Sequence, residues 1–378
     1  MFAQVGESEL GKTLNSKTDT GDLCPYLCAV NVLQGSFDLS TIKECKIEEK
    51  DKRRYLLKKG DLLICEGGDA GRCAIWEDGR EMFYQNALHR VKAKDNAYNY
   101  FLMYYLQYLK KNGTIDKLSK GVTIKHFSKT ALSSLIVSLP SFSEQLTIAE
   151  ELDSIQSMIG KCREQLEDYD RLARSIFHEM FGDPVRNEKG WEMKKLKDLS
   201  KIGTGGTPSR KLSDRYYNGK IAWVKTTEVC NNYIFGTEER ITEEAISESN
   251  CNIYGINTVI LAMYGQGKTR GQSAILKIPA ATNQACAAIQ CYDNLCHTYL
   301  FWFLQMTYSH NRELGNGVNQ KNMNLSIVGN LIIPLPPLPL QQQFATRIEA
   351  IEEMKEATKA QLADLQQLFD SRMQYYFS

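Results

Sequence analysis

Apolar residues between 148 and 180 recur with an unbroken 4-3-4-3 spacing: Ile148, Leu152, Ile155, Ile159, Cys162, Leu166, Tyr169, Ala173, Ile176 and Met180. That spacing predicts a helix with one continuous seam, about four heptads long. The same spacing returns at Phe344, Ile348, Ile351, Lys355, Thr358, Leu362, Leu365, Phe369, Arg372 and Tyr376, where Lys355, Thr358 and Arg372 interrupt the stripe. Two stripes of equal length in one chain should pack on each other, most simply antiparallel. Forty helical residues span roughly 60 Å, enough for a spacer between globular domains as well as for a core hairpin. Upstream of each helix the pattern changes. Glycine-broken apolar runs predict strands at Asp61 to Cys65 and Cys73 to Trp76, then at Ile221 to Val224, Thr258 to Met263 and Ser273 to Ile278. An aromatic helix is predicted near Tyr98 to Lys110 and again near His297 to Tyr308. Each is followed by a Gly-Val-x-x-Lys loop, a strand ending in Leu-Pro, and the long helix.

The chain repeats itself. Gly121-Val122 with Lys125 recurs as Gly317-Val318 with Lys321, Leu139-Pro140 as Leu335-Pro336, Gln145 as Gln341, Met158 as Met354, Gln165-Leu166 as Gln361-Leu362, and Phe181 as Phe377, every pair offset by 196. A constant offset of about half the chain indicates a two-fold duplication rather than a solenoid. The upstream parts have diverged. There, Leu10-Gly11-Lys12 is matched with Leu196-Lys197-Asp198, Gly60 to Ile64 with Asn257 to Leu261, and Gln85-Asn86 with Asn283-Gln284.

Composition narrows the class. The 378 residues exceed one ordinary core, and 43% hydrophobic with 24% charged residues excludes a disordered, collagenous or low-complexity chain. No run of 18 apolar residues predicts a membrane span, and Met1 to Leu10 holds two acids and no base, unlike a signal peptide. Eleven cysteines with no C-x-x-C predict free, mostly buried thiols in a reducing cytoplasm. Net charge is only +1, but residues 143–181 hold nine acids against four bases and residues 338–378 six against four. The two globular blocks are therefore basic on balance and suited to meeting phosphates.

Motif order carries a resemblance. Leu139-Pro140-Ser141-Phe142-Ser143-Glu144-Gln145, with Ile148, opens the first long helix; Pro336-Pro337-Leu338-Pro339-Leu340-Gln341-Gln342 opens the second, with Leu340 in place of the acid. Gly205-Gly206-Thr207-Pro208-Ser209-Arg210, then Ala222-Trp223-Val224-Lys225-Thr226, opens the second block, and Thr282-Asn283-Gln284-Ala285-Cys286 lies inside it. Tyr55-Leu56-Leu57, Gly60-Asp61-Leu62-Leu63 and Glu66-Gly67-Gly68 mark the first block, which lacks the Gly-Gly-Thr-Pro opening. This succession resembles the specificity subunit of type I restriction–modification systems over essentially the whole chain. The resemblance implies an α+β chain: two mixed α/β target recognition domains, 1–141 and 185–337, separated by two long antiparallel coiled-coil helices, 142–184 and 338–378, as a pseudo-two-fold repeat. It implies a non-catalytic cytoplasmic subunit reading one half of a split, asymmetric site in double-stranded DNA with each domain. Two modification subunits would dock on the helices, carrying S-adenosylmethionine and methylating adenine, and restriction (motor and nuclease) subunits would join them. Ile148, Leu152, Ile155, Phe344, Ile348 and Ile351 are the candidates for that docking.

The residue chemistry agrees. The chain has no Asn/Asp-Pro-Pro-Tyr/Phe adenine pocket, no G-x-G-x-x-G opening a helix, no H-E-x-x-H and no G-x-S-x-G. Flipping of a target base is therefore expected of the partner. Cys286, Cys291, Cys296 and His297 have poor zinc spacing. Two other readings stand beside the resemblance. Ala262-Met263-Tyr264-Gly265-Gln266-Gly267-Lys268-Thr269 fits a relaxed P-loop and would make the chain an NTPase, although a strand rather than a helix is predicted next. Alternatively the chain is a coiled-coil protein scaffold, which would show no salt-dependent duplex binding.

Phosphate contacts position a DNA-binding protein and base contacts specify the sequence. Lys125 and Lys321, in equivalent loops, are assigned to phosphates. Arg and Lys suit guanine, Asn and Gln adenine. The base-reading candidates are Ser209, Arg210, Lys225, Thr226, Gln266, Lys268, Arg270, Asn283 and Gln284 in the second domain, and Asn31, Arg72, Gln85, Asn86, His89 and Arg90 in the first. Tyr26, Tyr84 and Tyr264 could stack on sugars or bases, though an aromatic near a strand is more often core.

Overall fold

The computed structural model describes residues 1–15, 19–119, 126–265, 267–313 and 323–378. The chain divides into two compact units: Met1–Arg163 with Lys359–Ser378, and Glu164–Thr358.

The first unit holds β1 (Gly6–Leu10), β2 (Asp22–Leu27), β3 (Lys43–Ile47), β4 (Asp61–Cys65), β5 (Cys73–Trp76), β6 (Phe83–Tyr84) and β7 (Leu88–Ala93). They form two sheets, β1-β7-β4-β5 and β3-β2-β6. Every residue of β4 is buried, because both of its faces are covered. Leu62 and Ile64 pack toward the aromatic helix Asn99–Lys111, while Leu63 and Cys65 pack with Leu27 and Tyr84 of the other sheet. A strand covered on both faces reads as a continuous apolar run rather than an alternation.

The second unit holds β8 (Glu192–Lys195), β9 (Ser200–Thr204), β10 (Tyr217–Val224), β11 (Asn232–Ile234), β12 (Glu239–Ile241), β13 (Ile253–Tyr254), β14 (Val259–Ala262), β15 (Ser273–Leu276), β16 (Ala280–Thr282), β17 (Cys286–Cys291) and β18 (Ile332–Leu335). Its sheets run β11-β15-β14-β17-β9, β12-β10-β16-β13 and β18-β8. The first two repeat the sheets of the first unit, each with one additional edge strand, β11 and β13. β2 and β6 pair in parallel at Leu27 and Tyr84, as β10 and β16 do at Val224 and Thr282. Cys65 faces Leu88 as Ala262 faces Cys286. The turn into β4 is set by Gly60 and the turn into β14 by Asn257, both with positive φ, and each donates its N–H across the hairpin at 2.8 Å. Gln85-Asn86 and Asn283-Gln284 are therefore equivalent, as the sequence suggested. The match for Leu10-Gly11 needs correction. Leu10 pairs with His89 as Thr204 pairs with Ala287, so Leu10-Gly11 answers Thr204-Gly205, not Leu196-Lys197. The strand expected before Leu139-Pro140 is absent from the described residues. β18 pairs with β8, and the first unit shows no strand equivalent to β8 among the described residues.

The long helices span Phe142–Phe181 and Leu338–Phe377, each contributing to both units. In the first unit Leu152, Ile155 and Ile159 are buried with Phe369, Met373 and Phe377 against the aromatic helix. In the second, Ala173, Phe177, Met180 and Phe181 are buried with Phe344, Ile348 and Ile351. In both, early residues of one helix meet late residues of the other, so the pairing is antiparallel. The interruptions of the second stripe are accommodated. Lys355 bonds Asp170 at 2.9 Å and Glu352 at 3.1 Å, and Thr358 is buried. After Phe369 the buried stripe moves one residue on, to Met373 and Phe377, which leaves Arg372 to pair with Glu151 at 2.9 Å.

One device occurs twice. Gln145 is fully buried; its amide accepts from Tyr98 N–H at 3.0 Å and donates to the Asn96 and Pro140 carbonyls at 3.0 Å each. Gln341 accepts from Cys296 N–H at 2.8 Å and donates to the Asn294 and Pro336 carbonyls at 3.3 and 2.8 Å. Each glutamine ties the start of a long helix to the turn entering the aromatic helix.

Candidate nucleic-acid interface

In the second unit three separated motifs meet at one end of the sheets. Gly205 crosses so close to β16 that an added Cβ would lie 1.7 Å from the Thr282 carbonyl oxygen, so only glycine fits. Gly206 N–H bonds that same carbonyl at 3.1 Å, and Trp223 Nε1 donates to Gly206 O at 3.1 Å. Asn283 N–H bonds Val224 O at 3.0 Å. These bonds hold the 205–210 loop, the end of β10 and the 283–285 turn together. Ser209, Arg210 and Gln284 are exposed there, and Lys225, Thr226 and Asn283 half-buried. Asn283 Oδ1 caps its own turn by accepting from Ala285 N–H at 3.2 Å. Met263 N–H bonds Ala285 O at 2.9 Å, so the loop carrying Lys268 and Arg270 leaves β14 beside this turn. Tyr308 Oη donates to Lys268 O at 2.5 Å and Arg312 Nη2 to Gly267 O at 2.8 Å, strapping that loop to the helix Tyr308–Glu313. Lys268 is exposed and Arg270 half-buried, its Nη2 3.4 Å from Arg312 O.

The loop joins β14 to β15 in an antiparallel hairpin. Among the described residues no helix begins there to turn its N-terminus toward a phosphate, and the hairpin is not the frame that a P-loop needs.

Two of the cations are already paired. Arg210 bonds Glu239 at 2.7 Å and lies 4.1 Å over the Tyr217 ring. Lys225 bonds Glu238 at 2.8 Å and Glu239 at 3.1 Å. The hydrogen bond from Arg210, with a second from Lys225, holds the Glu239 carboxyl down at about 2 despite some burial. Nothing in the sequence flagged Glu238 and Glu239. Two adjacent acids in a basic block read as solvated surface, and their cations stand 13 or more positions away.

The first unit repeats the frame with other side chains. Gln85 N–H bonds Leu27 O at 2.9 Å, Asn86 N–H bonds Lys12 O at 2.8 Å, and Asn86 Nδ2 donates to Thr13 Oγ1 at 3.1 Å. Gln85 and Asn86 are half-buried at this turn. Lys12, beside them, pairs with Asp19 at 3.0 Å. Glu66 N–H bonds Ala87 O at 2.8 Å, as Met263 bonds Ala285. Three expected readers lie inside the domain instead, and a fourth, Arg72, is half-buried. Arg90 is 4% exposed; it donates to Leu56 O at 3.0 Å and to Glu9 at 2.8 Å, with Asp61 at 3.9 Å. His89 is fully buried, its Nε2 3.1 Å from Phe127 O, and burial lowers its pKa. Asn31 closes its own loop through Asp38 O, Thr41 O and Cys28 N–H. Arg72 points inward, Nη2 to Ala29 O at 2.9 Å, with its Nε 3.6 Å from Asp69. Arg90, His89 and Asn31 are buried and bonded within the domain, which takes them out of reach of bases, whereas Arg72 is half-buried and its partner Asp69 exposed. Tyr26 and Tyr84 are buried too, while Tyr264 is half-buried. Lys125, Gln266 and Lys321 lie outside the described residues.

The docking candidates also need correction. Leu152, Ile155, Phe344, Ile348 and Ile351 are buried and Ile148 is half-buried within the chain's own seam, so none presents an apolar face to a partner. Exposed apolar residues stand beside the seam instead: Met158 and Leu368 in the first unit, Leu172 and Met354 in the second, each 38–45% exposed. Each immediately precedes a seam position. Among the described residues no group of three or more His, Cys, Asp or Glu could hold a metal, and no helix is long and apolar enough to cross a membrane.

The family model for the type I restriction modification DNA specificity domain matches residues 2–167 and 188–367. A type I restriction enzyme MjaIX specificity subunit from Methanocaldococcus jannaschii is 22% identical, with 97% of this chain and 89% of that protein aligned. The MjaVIII specificity subunit of the same organism is 23% identical over 89% of this chain and 82% of its own length. In fold, the chain is similar to the S subunit of a type I system from M. genitalium, with TM-score 0.63, 14% identity and coverage of 98% and 93%. The duplicated sheets, the long helices and the matching model together show that the chain belongs to the type I restriction–modification DNA specificity family.

Proposed function

We propose that this specificity subunit reads a split, asymmetric site in double-stranded DNA, one half-site per unit, and docks two modification subunits without catalysing a reaction itself. The observation that carries the reading is the duplicated frame. In each unit one conserved set of backbone bonds gathers loops from several strands at one sheet end, and the two ends carry different side chains. A common frame with different polar tips suits two different short sequences. Arg210, Lys225, Lys268 and Arg270 suit phosphate or guanine, Asn283, Gln284, Gln85 and Asn86 suit adenine, and Ser209 and Thr226 suit either phosphate or base. Lys125 and Lys321 remain the assignment for phosphates, and Gln266 for a base. Met158 and Leu368 in the first unit, and Leu172 and Met354 in the second, are exposed apolar positions related by the repeat, suited to two identical partners. S-adenosylmethionine and base flipping belong to those cytoplasmic partners, with restriction subunits joining the complex.

The test is methylome sequencing of the host with and without the gene. One bipartite motif should lose its adenine methylation on deletion. Exchanging residues 185–337 for the equivalent domain of another specificity subunit should change one half-site only. Unchanged methylation with intact partner genes would refute the reading.

A further inference from the structure

Glu239 sits between two of the cations that the loops of the second unit present, Arg210 and Lys225. Its carboxylate takes Arg210 at 2.7 Å from the 205–210 loop and Lys225 at 3.1 Å from the end of β10. It is placed from β12, whose Glu239 pairs with Trp223 of β10, and Thr237 Oγ1 fixes its carbonyl at 2.7 Å. Arg210 is held flat over Tyr217 at 4.1 Å, and Lys225 takes a second acid, Glu238, at 2.8 Å. Each salt bridge to Arg210 or Glu238 has an exposed member, 57% and 72% exposed, and such pairs contribute little to stability; only Lys225 with Glu239 is half-buried on both sides. What the acid does accomplish is to cancel charge where phosphates would bind. From this geometry we infer that Glu239 is a specificity-determining residue. It orients Arg210 and Lys225 and masks their charge, so that random DNA is held weakly and the cations are released only when the loops fit their bases. The inference rests on the DNA-reading function proposed above and deepens it.

Non-specific affinity is carried by phosphate neutralisation, and log affinity falls against log salt by about 0.9 per phosphate engaged. Removing the mask should therefore add to that slope. The full-length chain is titrated with a random-sequence duplex between about 50 and 200 mM NaCl. Glu239→Gln should bind more tightly and steepen the slope by about 0.9, one additional phosphate. Glu239→Asp, which keeps the charge, should stay near the wild type. Glu243→Gln makes the same change in net charge at an exposed acid with no cationic partner among the described residues, and should leave the slope unchanged. Glu238→Gln frees Lys225 from one of its two acids and should shift binding in the same direction by less. It carries the test if Glu239→Gln fails to unfold cooperatively. Equal slopes for Glu239→Gln and Glu243→Gln, whether both raised or both unchanged, would overturn the inference. A wild-type slope near zero would instead overturn the DNA-reading function itself.

Discussion

Replacing the buried helix-start glutamines should show how the fold is latched. Gln145→Ala removes an amide that satisfies Tyr98 N–H and the Asn96 and Pro140 carbonyls; Gln341→Ala does the same for Cys296 N–H and the Asn294 and Pro336 carbonyls. Each buried group left without a partner costs about 1–3 kcal/mol. Three buried groups would set an upper range near 9, but Asn96 and Asn294 are exposed and the truncated side chain leaves room for water, which re-satisfies part of the loss. A cost of about 3–4 kcal/mol per glutamine follows, large against total stabilities of about 5–15. The control is Gln→Glu. It has the same shape and keeps one acceptor for the N–H, but it sets carboxylate oxygen against two carbonyl oxygens. It should therefore be at least as damaging as alanine. Urea denaturation followed by circular dichroism gives the magnitudes. Hydrogen exchange should localise them, with Asn99–Lys111 losing protection in the Gln145 variant and His297–Met306 in the Gln341 variant. If Gln→Glu lies within about 0.5 kcal/mol of wild type, the three bonds are not what holds the junction, and the argument fails.

Arg90→Ala should cost about 3 kcal/mol, the low end for breaking a buried pair because Glu9 is 34% exposed. It should leave the methylated motif unchanged, which methylome sequencing checks; a relaxed motif would restore Arg90 as a base reader. His89 and His297 both have pKa values lowered by burial. The unfolded chain then takes up protons below the ordinary histidine value near 6.5 while the folded chain resists them, so stability should fall as pH drops below about 6.5. His297→Phe should reduce that slope in urea midpoints measured between pH 7.5 and 5.5 (about one unit on each side of the ordinary value), and an unchanged slope would refute the assignment. Met158→Glu with Leu368→Glu should remove one copy of the modification subunit from the assembled complex, as should Leu172→Glu with Met354→Glu. Native mass spectrometry reads the stoichiometry, and full occupancy in both double variants would move the docking surface elsewhere.

The duplication, the long helices, the aromatic helices and the paired strands were legible because each leaves a periodic or repeated trace. The second seam's shift to Met373 and Phe377 was not, since a fixed heptad template cannot follow two successive four-residue steps. The polar residues failed for another reason. Arg90 and His89 lie on a strand covered on both faces, and Asn31 inside a closed loop. A polar side chain buried against backbone is indistinguishable in sequence from one at the surface. The docking residues failed because apolar periodicity marks a buried face without saying whether the chain or a partner buries it. The exposed apolar residues proposed in their place, Met158, Leu172, Met354 and Leu368, carry a trace in the sequence. They are apolar residues off the seam, and Met158 with Met354 was already visible as a repeat pair.

The offset between the halves shows what the duplication had to keep. It is 196 from Gln145 and Gln341 through the helices to Phe181 and Phe377. In the sheets it drifts: 194 for Leu10 and Thr204, 197 for Gly60 and Asn257, 198 for Gln85 and Asn283, and 200 for Cys73 and Ser273. One residue inserted into a helix rotates everything beyond it by about 100°. Such an insertion would turn the seam out of register, and with it the Met158–Leu368 and Leu172–Met354 flanks. The same insertion in a loop between strands is absorbed locally. On the proposed function, the part of the chain that would present two matching surfaces to identical partners has therefore kept its count. The part that must differ between half-sites has lost it, while holding the backbone bonds that aim the loops. Gly11 and Gly205 mark the boundary between the two regimes. Each brings its loop against the strand that carries the Gln85 or Asn283 turn, with no space for a Cβ. On the proposed function, the exposed side chains at these loop tips can change the sequence being read without altering the helices that would carry the partners.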